Sequence, residues 1–351
     1  NYSALDRVLQ RIAFASPIVQ LTAADVEDLL FRRRFESIVA SPPIFITSVP
    51  RAGTTLLLEL LHRSSDLASH TYRDMPFVMA PMLWSHLSRA FRRRAVAWDR
   101  AHGDAMQVDY DSPEAFEEVI WRAFWPEKFG ATQISLWDAA DRKRDADEFF
   151  VDHMKKVVAL RQQEPHQSGR YLSKNNGNLA RLDLITAMFP GAIILVPVRN
   201  PIEHAWSLFR QHRHFLELHR QHPFIRRYMS DLGHYEFGAL HKPIAFPGFA
   251  PADIGLDPSM ADYWLEYWIA ALRHIQSRQD RLVVVSYERL CAGGAGVLAD
   301  ICETLGLSEA SMPDDAAAMI RQPSVLAAEQ TTFQPALRRR AQELHRELLG
   351  N

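Results

Sequence analysis

The order of apolar and polar positions along the chain predicts short strands that alternate with helices. The first strand is the apolar run Ile44–Ile46, and residues 171–174, 192–198 and 281–286 give three more. Runs that are apolar throughout are typical of strands buried on both faces of a parallel sheet. The pattern therefore predicts an α/β fold with a central parallel sheet flanked by helices.

Segments with helical periodicity lie between these strands. Besides a helix that starts just after Gly53, we expect helices over residues 22–39, 76–91, 112–125, 147–163, 179–189, 202–220 and 297–305. In the first segment, Thr22 is expected to be the N-cap and Asp25 to occupy the third helical position. Residues 242–259 are rich in Pro and Gly, which predicts a long loop.

The junction after the first strand is the most informative local feature. Pro50 and Gly53 interrupt the apolar pattern, and the helix restarts directly after them. A helix that begins at the end of a strand presents unpaired backbone N–H groups and the positive end of its dipole, so it can bind a phosphate-like anion. Arg51, Thr54 and Thr55 add a cation and two hydroxyl groups at this place. We therefore expect a nucleotide or another phosphorylated ligand.

Composition narrows the class of protein. The 351 residues are 47% hydrophobic and carry a formal net charge of -2, which is unlike a general nucleic-acid binder. Cys291 and Cys302 form neither a CxxC motif nor a disulfide framework, which favours a reducing compartment such as the cytoplasm. No apolar run has transmembrane length, whereas peripheral attachment to a membrane and the oligomeric state stay open. No metal site is expected from the histidines of the long helix, which lack HExxH spacing: His212, His214, His219 and His222.

The loop differs from a Walker A motif in the residue that matters most. Gly53 is followed directly by Thr54, so the Lys that reaches the terminal phosphates of a triphosphate is missing. The apolar strand 192–198 ends in Arg199, where a Walker B acid would be expected. These differences predict an anion site built from protein donors and cations, without Mg²⁺.

Two motifs together resemble the sulfotransferases that use 3′-phosphoadenosine-5′-phosphosulfate (PAPS). The sequence PRAGTTLL resembles their 5′-phosphosulfate loop, most closely the PRSGTT form of bacterial and tyrosylprotein-type members. The segment VPVRNPIEHAWSLF is similar to their second motif, in which an Arg ends a core strand and a Ser follows eight residues later. Here these residues are Arg199 and Ser207.

The resemblance implies a P-loop NTPase-like sulfotransferase fold with PAPS as co-substrate and no metal. Lys174 matches the lysine that stabilises the transferred sulfuryl group, and Arg199 and Ser207 match the residues that hold the 3′-phosphate. Tyr287, in VVVSYERL, matches a tyrosine that approaches the same phosphate. The 5′-phosphosulfate would lie on the loop residues, which are Arg51, Ala52, Gly53, Thr54 and Thr55.

The catalytic base is not fixed by the resemblance. Tyrosylprotein-type relatives use a Glu shortly after the loop helix, and the corresponding stretch here, SHTYRDMPFV, lacks it. Asp74 is the favoured replacement. His70 is the alternative, because its unperturbed pKa suits proton transfer near neutral pH.

We expect one domain over residues 1–351, with inserts at 76–165 and 205–280 that form the pocket of a small-molecule, lipid or glycan acceptor. The predicted activity is sulfuryl transfer to a hydroxyl or amine by in-line displacement. Two alternatives stay open at this point: a degenerate P-loop kinase that uses ATP–Mg, and a catalytically silent nucleotide-binding protein.

Overall fold

A parallel sheet forms the centre of the protein. The computed structural model describes residues 4–39, 41–89, 98–99, 107–108, 110–161, 169–320 and 333–350. The strands are β1 (Ile44–Ile46), β2 (Leu67–Ala68), β3 (Trp98–Asp99), β4 (Gln107–Val108), β5 (Arg170–Lys174), β6 (Ile193–Val198) and β7 (Val283–Ser286). Within the described residues, the sheet has the order β2–β5–β1–β6–β7, and all its pairings are parallel. The predicted α/β fold is confirmed.

Helices surround this sheet. They are α1 (Ala4–Ala13), α2 (Pro17–Phe35), α3 (Thr54–His62), α4 (Pro81–Ser88), α5 (Glu118–Phe124), α6 (Arg144–Arg161), α7 (Leu182–Met188), α8 (Pro201–Gln221), α9 (Pro223–Leu232), α10 (Ala261–Gln276), α11 (Tyr287–Leu305) and α12 (Pro335–Leu349). In the ranges that the structure describes, none of the helices is both long enough and apolar enough to span a bilayer.

The sheet is buried on both faces, as its apolar strands predict. Successive side chains of a strand point to opposite faces. Ile44 and Ile46 accordingly join an apolar cluster with residues of α3 and α11, whereas Phe45 joins a larger cluster with residues of α6, α7 and α10. Burial on both faces leaves the strand ends as the place where ligands have access.

The register brings four carboxyl ends together at one edge of the sheet. Lys174, the last residue of β5, is paired with Ile46, the last residue of β1. β6 continues three residues beyond its pairing with Ile46, and its last residue is paired with Ser286 at the end of β7. The loops that leave β1, β5, β6 and β7 therefore lie side by side.

The N-terminal part of the second helix was predicted wrongly. α2 begins at Pro17 and is capped by Ser16, whose Oγ accepts a hydrogen bond from the backbone N–H of Ile18; Thr22 lies inside the helix. The reason is an unusual distribution of side chains. Gln20 and Glu27 are buried, while Leu29 is 85% exposed, so apolar periodicity does not mark the buried face of this helix.

Other helix bounds differ by a few residues. The helix expected over 76–91 is α4, which begins only at Pro81, and that expected over 112–125 is the shorter α5. The expected helix 179–189 is a 3-10 turn, Asn176–Arg181, followed by α7. The helix expected at 297–305 is the second part of α11, which begins at Tyr287 and is interrupted by a non-helical backbone conformation at Gly294. Residues 90–91 and 162–163, at the ends of two expected helices, lie outside the described residues. The loop predicted at 242–259 is confirmed, with one 3-10 turn at Pro251–Ile254.

The buried carboxyl group of Glu27 makes stability depend on pH. Burial raises its pKa from 4.5 to about 7, although Lys156 Nζ lies 3.3 Å away and opposes this. Since the pKa in the folded state is raised, this group stabilises the fold below about pH 4.5, and the contribution is lost as the pH rises through 7. We expect the free energy of unfolding to fall between pH 5 and 8 by up to about 3 kcal/mol.

Urea unfolding of wild type and of Glu27→Gln at both pH values measures this effect. The glutamine variant should lose most of the pH dependence, whereas Glu36→Gln, at an exposed position just after the same helix, should retain it. An unchanged pH dependence in Glu27→Gln would contradict the assignment.

Candidate functional site

The loop between β1 and α3 has a backbone shape that only certain residues adopt. Arg51 and Gly53 both have positive φ angles, of 73° and 96°. A Cβ at position 53 would lie 2.4 Å from Cδ2 of Tyr287, so this position requires glycine for two separate reasons. The left-handed Gly53 is also the N-cap of α3, which leaves the first N–H groups of that helix without a capping side chain. The loop thus has the features of an anion site.

Residues of the two sequence motifs meet at this loop, although some 150 positions separate them. Arg51 Nε donates a hydrogen bond to Ser207 Oγ at 3.4 Å. Arg199 Nη1 donates to the backbone oxygen of Arg51 at 3.4 Å, and its guanidinium lies over the ring of Tyr287, 5.1 Å from the centroid. Burial raises the pKa of Tyr287 to about 12, so its hydroxyl stays protonated. The structure therefore brings together Arg51, Gly53, Arg199, Ser207 and Tyr287.

One polar atom of this group has no hydrogen-bond partner among the residues that the structure describes. Arg199 is 8% exposed, and its Nε is buried without a hydrogen bond among the described residues. The same guanidinium forms a 3.4 Å ion pair with Glu203, in the first turn of α8. A buried N–H donor without an acceptor is costly, and an anionic ligand would satisfy it.

His204 fixes the position of this loop through a hydrogen bond to the backbone of Pro50. No sequence motif had marked this histidine. Its Nδ1 accepts a hydrogen bond from Trp268 Nε1 at 3.0 Å, so Nε2 carries the proton and donates it to the backbone oxygen of Pro50 at 2.7 Å. Burial lowers the pKa of His204 to about 3, which keeps the ring neutral and this tautomer fixed. α8 and α10 thereby position the first residue of the loop.

The end of β5 reaches the same edge of the sheet. Lys174 is 7% exposed there, and the next two residues connect it to both sides of the site. Asn176 Oδ1 accepts a hydrogen bond from Thr54 Oγ1 at 3.3 Å, while the Asn175 amide donates to Glu118. Glu118 is itself held by Arg181, 2.7 Å away and fully buried. A chain of polar contacts thus runs from a buried ion pair to the first residue of α3.

Asp74 and His70 lie in a buried network of their own. Asp74 is 1% exposed and accepts hydrogen bonds from Arg161 Nη2, from His70 and from the backbone N–H of Thr71. His70 Nε2 lies 2.8 Å from Nε2 of His153 on α6. Burial alone would raise the pKa of Asp74, but Arg161 and His70 outweigh it and hold this pKa well below its usual range. A buried, fully bonded and weakly basic carboxylate is poorly suited to remove a proton from a ligand.

A second acidic and histidine pair lies on the loop after α9. His234 Nδ1 and Glu236 Oε2 are 3.7 Å apart, and their side chains are 14% and 27% exposed. Both residues line a cleft that is also lined by Pro50, in the loop between β1 and α3, and by residues 175–177 after β5. The other side of the cleft is apolar and aromatic, lined by Ile134, Leu208, Tyr235, Phe237, Trp264 and Tyr267.

The charge of Lys174 acts on both members of this pair. Burial raises the pKa of Glu236, but His234 and Lys174 outweigh it and lower that pKa to about 2. For His234, burial lowers the pKa, while Glu236 and Glu114 outweigh it, so the net shift is upward; Lys174 opposes that rise. Lys174, His234 and Glu236 therefore share one electrostatic environment at the edge of the sheet.

Histidines of the expected long helix hold this loop in place. His212 Nδ1 accepts a hydrogen bond from the N–H of Gly238 at 3.1 Å, and His219 Nδ1 accepts one from Ala239 at 3.2 Å. His241 Nδ1 donates to the backbone oxygen of Glu236 at 2.7 Å. Over the described ranges, no group of three or more His, Cys, Asp and Glu side chains is arranged to hold a metal ion.

His234 and Glu236 were missed because no motif marks them. The only local sign is Gly233, which ends α9 in a left-handed conformation and directs the chain into a loop. Their position in the cleft depends on α5 as well: Arg122 Nη1 donates to the last carbonyl oxygens of α9, at 2.7 and 2.8 Å. Such contacts join segments more than one hundred residues apart.

Comparison with known proteins gives a consistent result. A sequence model described as the sulfotransferase family matches residues 42–242. Sulfotransferase STF9 from Mycobacterium avium is a structural neighbour at 12% identity, with a TM-score of 0.55 over 99% of this chain and 86% of that one. Sulfotransferase STF1 from Mycobacterium tuberculosis has 14% identity and a TM-score of 0.48, over 98% and 85%. No curated protein matches the chain. At 12% identity, the similarity to STF9 supports the fold alone.

Proposed function

Because the chain belongs to the sulfotransferase family, we propose that it transfers the sulfuryl group of PAPS to a hydroxyl or amine acceptor. One observation carries the proposal. Arg51, Arg199, Ser207 and Tyr287 converge on the glycine turn at the carboxyl ends of the strands, where a doubly anionic nucleotide could contact all of them.

The two anionic ends of PAPS would bind to different parts of this group. The backbone N–H groups and side chains of the loop, with Lys174, would hold the 5′-phosphosulfate; the loop residues are Arg51, Ala52, Gly53, Thr54 and Thr55. Arg199 and Ser207 would hold the 3′-phosphate beside Tyr287. The buried Nε of Arg199, which lacks an acceptor among the described residues, supports this assignment.

PAPS, when bound, supplies an already activated sulfuryl group. The protein then has three tasks: to align the acceptor oxygen with the sulfur, to stabilise the departing phosphate, and to accept a proton. Lys174 is suited to the second task, since it is held at the end of a central strand and beside the loop. A fixed cation of this kind needs no rearrangement as negative charge develops.

The cleft beside the loop is the proposed acceptor pocket. Residues of both predicted inserts line it: Glu118 and Ile134 come from 76–165, whereas residues 233–237, 241–242 and 244, with Trp264, come from 205–280. Its apolar and aromatic wall supports an acceptor with an apolar part, such as a lipid or polyketide alcohol or a phenol, in preference to a plain sugar.

Arg199→Ala is expected to weaken binding of 3′-phosphoadenosine 5′-phosphate (PAP) by roughly 10- to 100-fold, since a hydrogen bond to a charged group is worth about 1.5–3 kcal/mol. Binding of adenosine 5′-phosphate, which lacks the 3′-phosphate, should change much less. Isothermal titration calorimetry without Mg²⁺ measures both affinities.

Arg220→Ala is the matched control, because Arg220 lies on α8, the helix that follows Arg199, but is 72% exposed and paired with Glu217. It should leave the affinity for PAP unchanged. Preferential binding of ATP–Mg by the wild type, or equal losses for both adenine nucleotides in Arg199→Ala, would contradict the proposed donor site.

A further inference from the structure

The loop after α9 places a histidine and a carboxylate at the junction of the two proposed substrate sites. His234 and Glu236 line the cleft together with Pro50, which begins the donor loop, and with residues 175–177, which follow Lys174. Both are partly exposed to the cleft, in contrast to the closed network around Asp74. A group that removes a proton from an acceptor must have this kind of access.

The geometry of the pair indicates a different role for His234 and for Glu236. Nδ1 of His234 faces Glu236 Oε2 at 3.7 Å, and within the described ranges no hydrogen bond engages Nε2. A carboxylate beside one imidazole nitrogen favours the tautomer with the proton there and leaves the other nitrogen able to accept one. The carboxylate also stabilises the imidazolium that then forms.

Resting on the proposed function, we propose that His234 is the catalytic base and that Glu236 is its positioning residue. His234 Nε2 takes the proton of the acceptor hydroxyl as the hydroxyl oxygen bonds to sulfur. The bond between sulfur and the 5′-phosphate oxygen breaks with its electron pair, which stays on the phosphate beside Lys174. The proton leaves His234 to water after the products separate.

The surroundings suit this exchange of a proton. The charged groups that act on His234 are Glu236 on its own loop, Glu114 before α5 and Lys174 on β5. Two other ionisable residues that line the cleft are engaged in contacts of their own. Glu118 pairs with Arg181, and His241 forms hydrogen bonds with the Glu236 backbone and with Tyr263. The backbone of Glu236 and of the residues that follow it is held by the histidine contacts described above. His234 is thus fixed in place while keeping one ring nitrogen for the acceptor.

The decisive test compares two kinds of acceptor. With labelled PAPS, His234→Asn should reduce kcat for alcohol acceptors by on the order of 10²–10⁴-fold, the usual contribution of general base catalysis. Transfer to a phenol that is already ionised at the assay pH should change little, since no proton has to be removed. If no alcohol in the panel is sulfated, transfer to water, followed as PAP release, takes the place of the alcohol. Equal losses with both acceptors, or undiminished alcohol transfer, would overturn the assignment.

A second measurement does not depend on turnover. The pKa of His234, followed by the NMR signal that disappears in His234→Asn, should fall in Glu236→Gln, and the rising limb of the pH–rate profile should move to lower pH with it. An unshifted pKa and limb would contradict the role of Glu236, and the shift of the limb, which needs no His234 variant, remains measurable if His234→Asn does not fold.

Controls separate this proposal from the donor site. His222→Asn, at an exposed histidine before α9, should behave as wild type. At a pH at which His234 is deprotonated, His234→Asn should bind PAP with wild-type affinity, whereas failure of the wild type itself to bind PAP would contradict the proposed function rather than the base. Loss of alcohol transfer in a folded Asp74→Asn variant, with His234→Asn active, would transfer the role of base to Asp74.

Discussion

Replacement of Lys174 by methionine is expected to lower kcat for sulfuryl transfer by roughly 10²–10³-fold, the usual cost of removing one preorganised group that stabilises transition-state charge. The lysine is held at the end of β5, level with the end of β1. The affinity for PAP should fall by a smaller factor, since loop N–H groups and Arg51 also contact the same phosphate in the proposed site. Turnover of labelled PAPS and calorimetric titration with PAP measure the two effects.

The same variant should change the proton affinity of His234. Because the ammonium of Lys174 lowers the pKa of His234, its removal should raise that pKa further. Lys155→Met is the matched control, since Lys155 is a partly buried lysine on α6 that pairs with Asp152. A threefold or smaller loss of kcat in Lys174→Met would contradict the role assigned to this residue.

Glu118→Ala is expected to destabilise the fold by about 3–5 kcal/mol, because it leaves the guanidinium of Arg181 buried without its counter-charge. Arg181 is fully buried and lies between two tryptophan rings, with its central carbon 4.7 Å from the centroid of Trp121 and 4.0 Å from that of Trp137. Urea unfolding measures the loss. The variant should also bind PAP less tightly, as Asn175 loses the acceptor that orients residues 175–177.

Two comparisons make this result specific. Glu148→Ala removes an exposed ion pair with Arg144 and should leave the free energy of unfolding almost unchanged. The double variant Glu118→Ala, Arg181→Met should recover part of the loss, since an apolar residue carries no buried charge. A single variant as stable as wild type would show that the pair contributes nothing to the fold.

Features encoded over a few neighbouring residues could be predicted from the sequence. The strands are apolar runs bounded by turn residues, and PRAGTT carries in itself the glycine and the hydroxyls that an anion site needs. The proximity of Arg199 to this loop could also be predicted, because an arginine that ends a neighbouring parallel strand must lie at the same edge of the sheet.

Features that depend on distant segments could not be predicted. Asp74 follows the loop helix in sequence, but Arg161, which neutralises it, is 87 positions away. α2 buries Gln20 and Glu27 because backbone groups near Pro76 and Leu83 supply their hydrogen bonds. The position of His234 in the cleft depends on the packing of α8 and α9. In each case tertiary contacts decide whether a polar residue is buried, bonded or accessible.

The closeness of Lys174 to His234 has a thermodynamic consequence. An anionic donor that binds against Lys174 offsets the positive charge that lowers the proton affinity of His234. By linkage, protonation of His234 then strengthens binding of the donor to the same extent, and binding draws in a fraction of a proton from solution. In the proposed mechanism, the donor complex would therefore reach its reactive, deprotonated state at a higher pH than the free protein, and one lysine would couple the two proposed substrate sites.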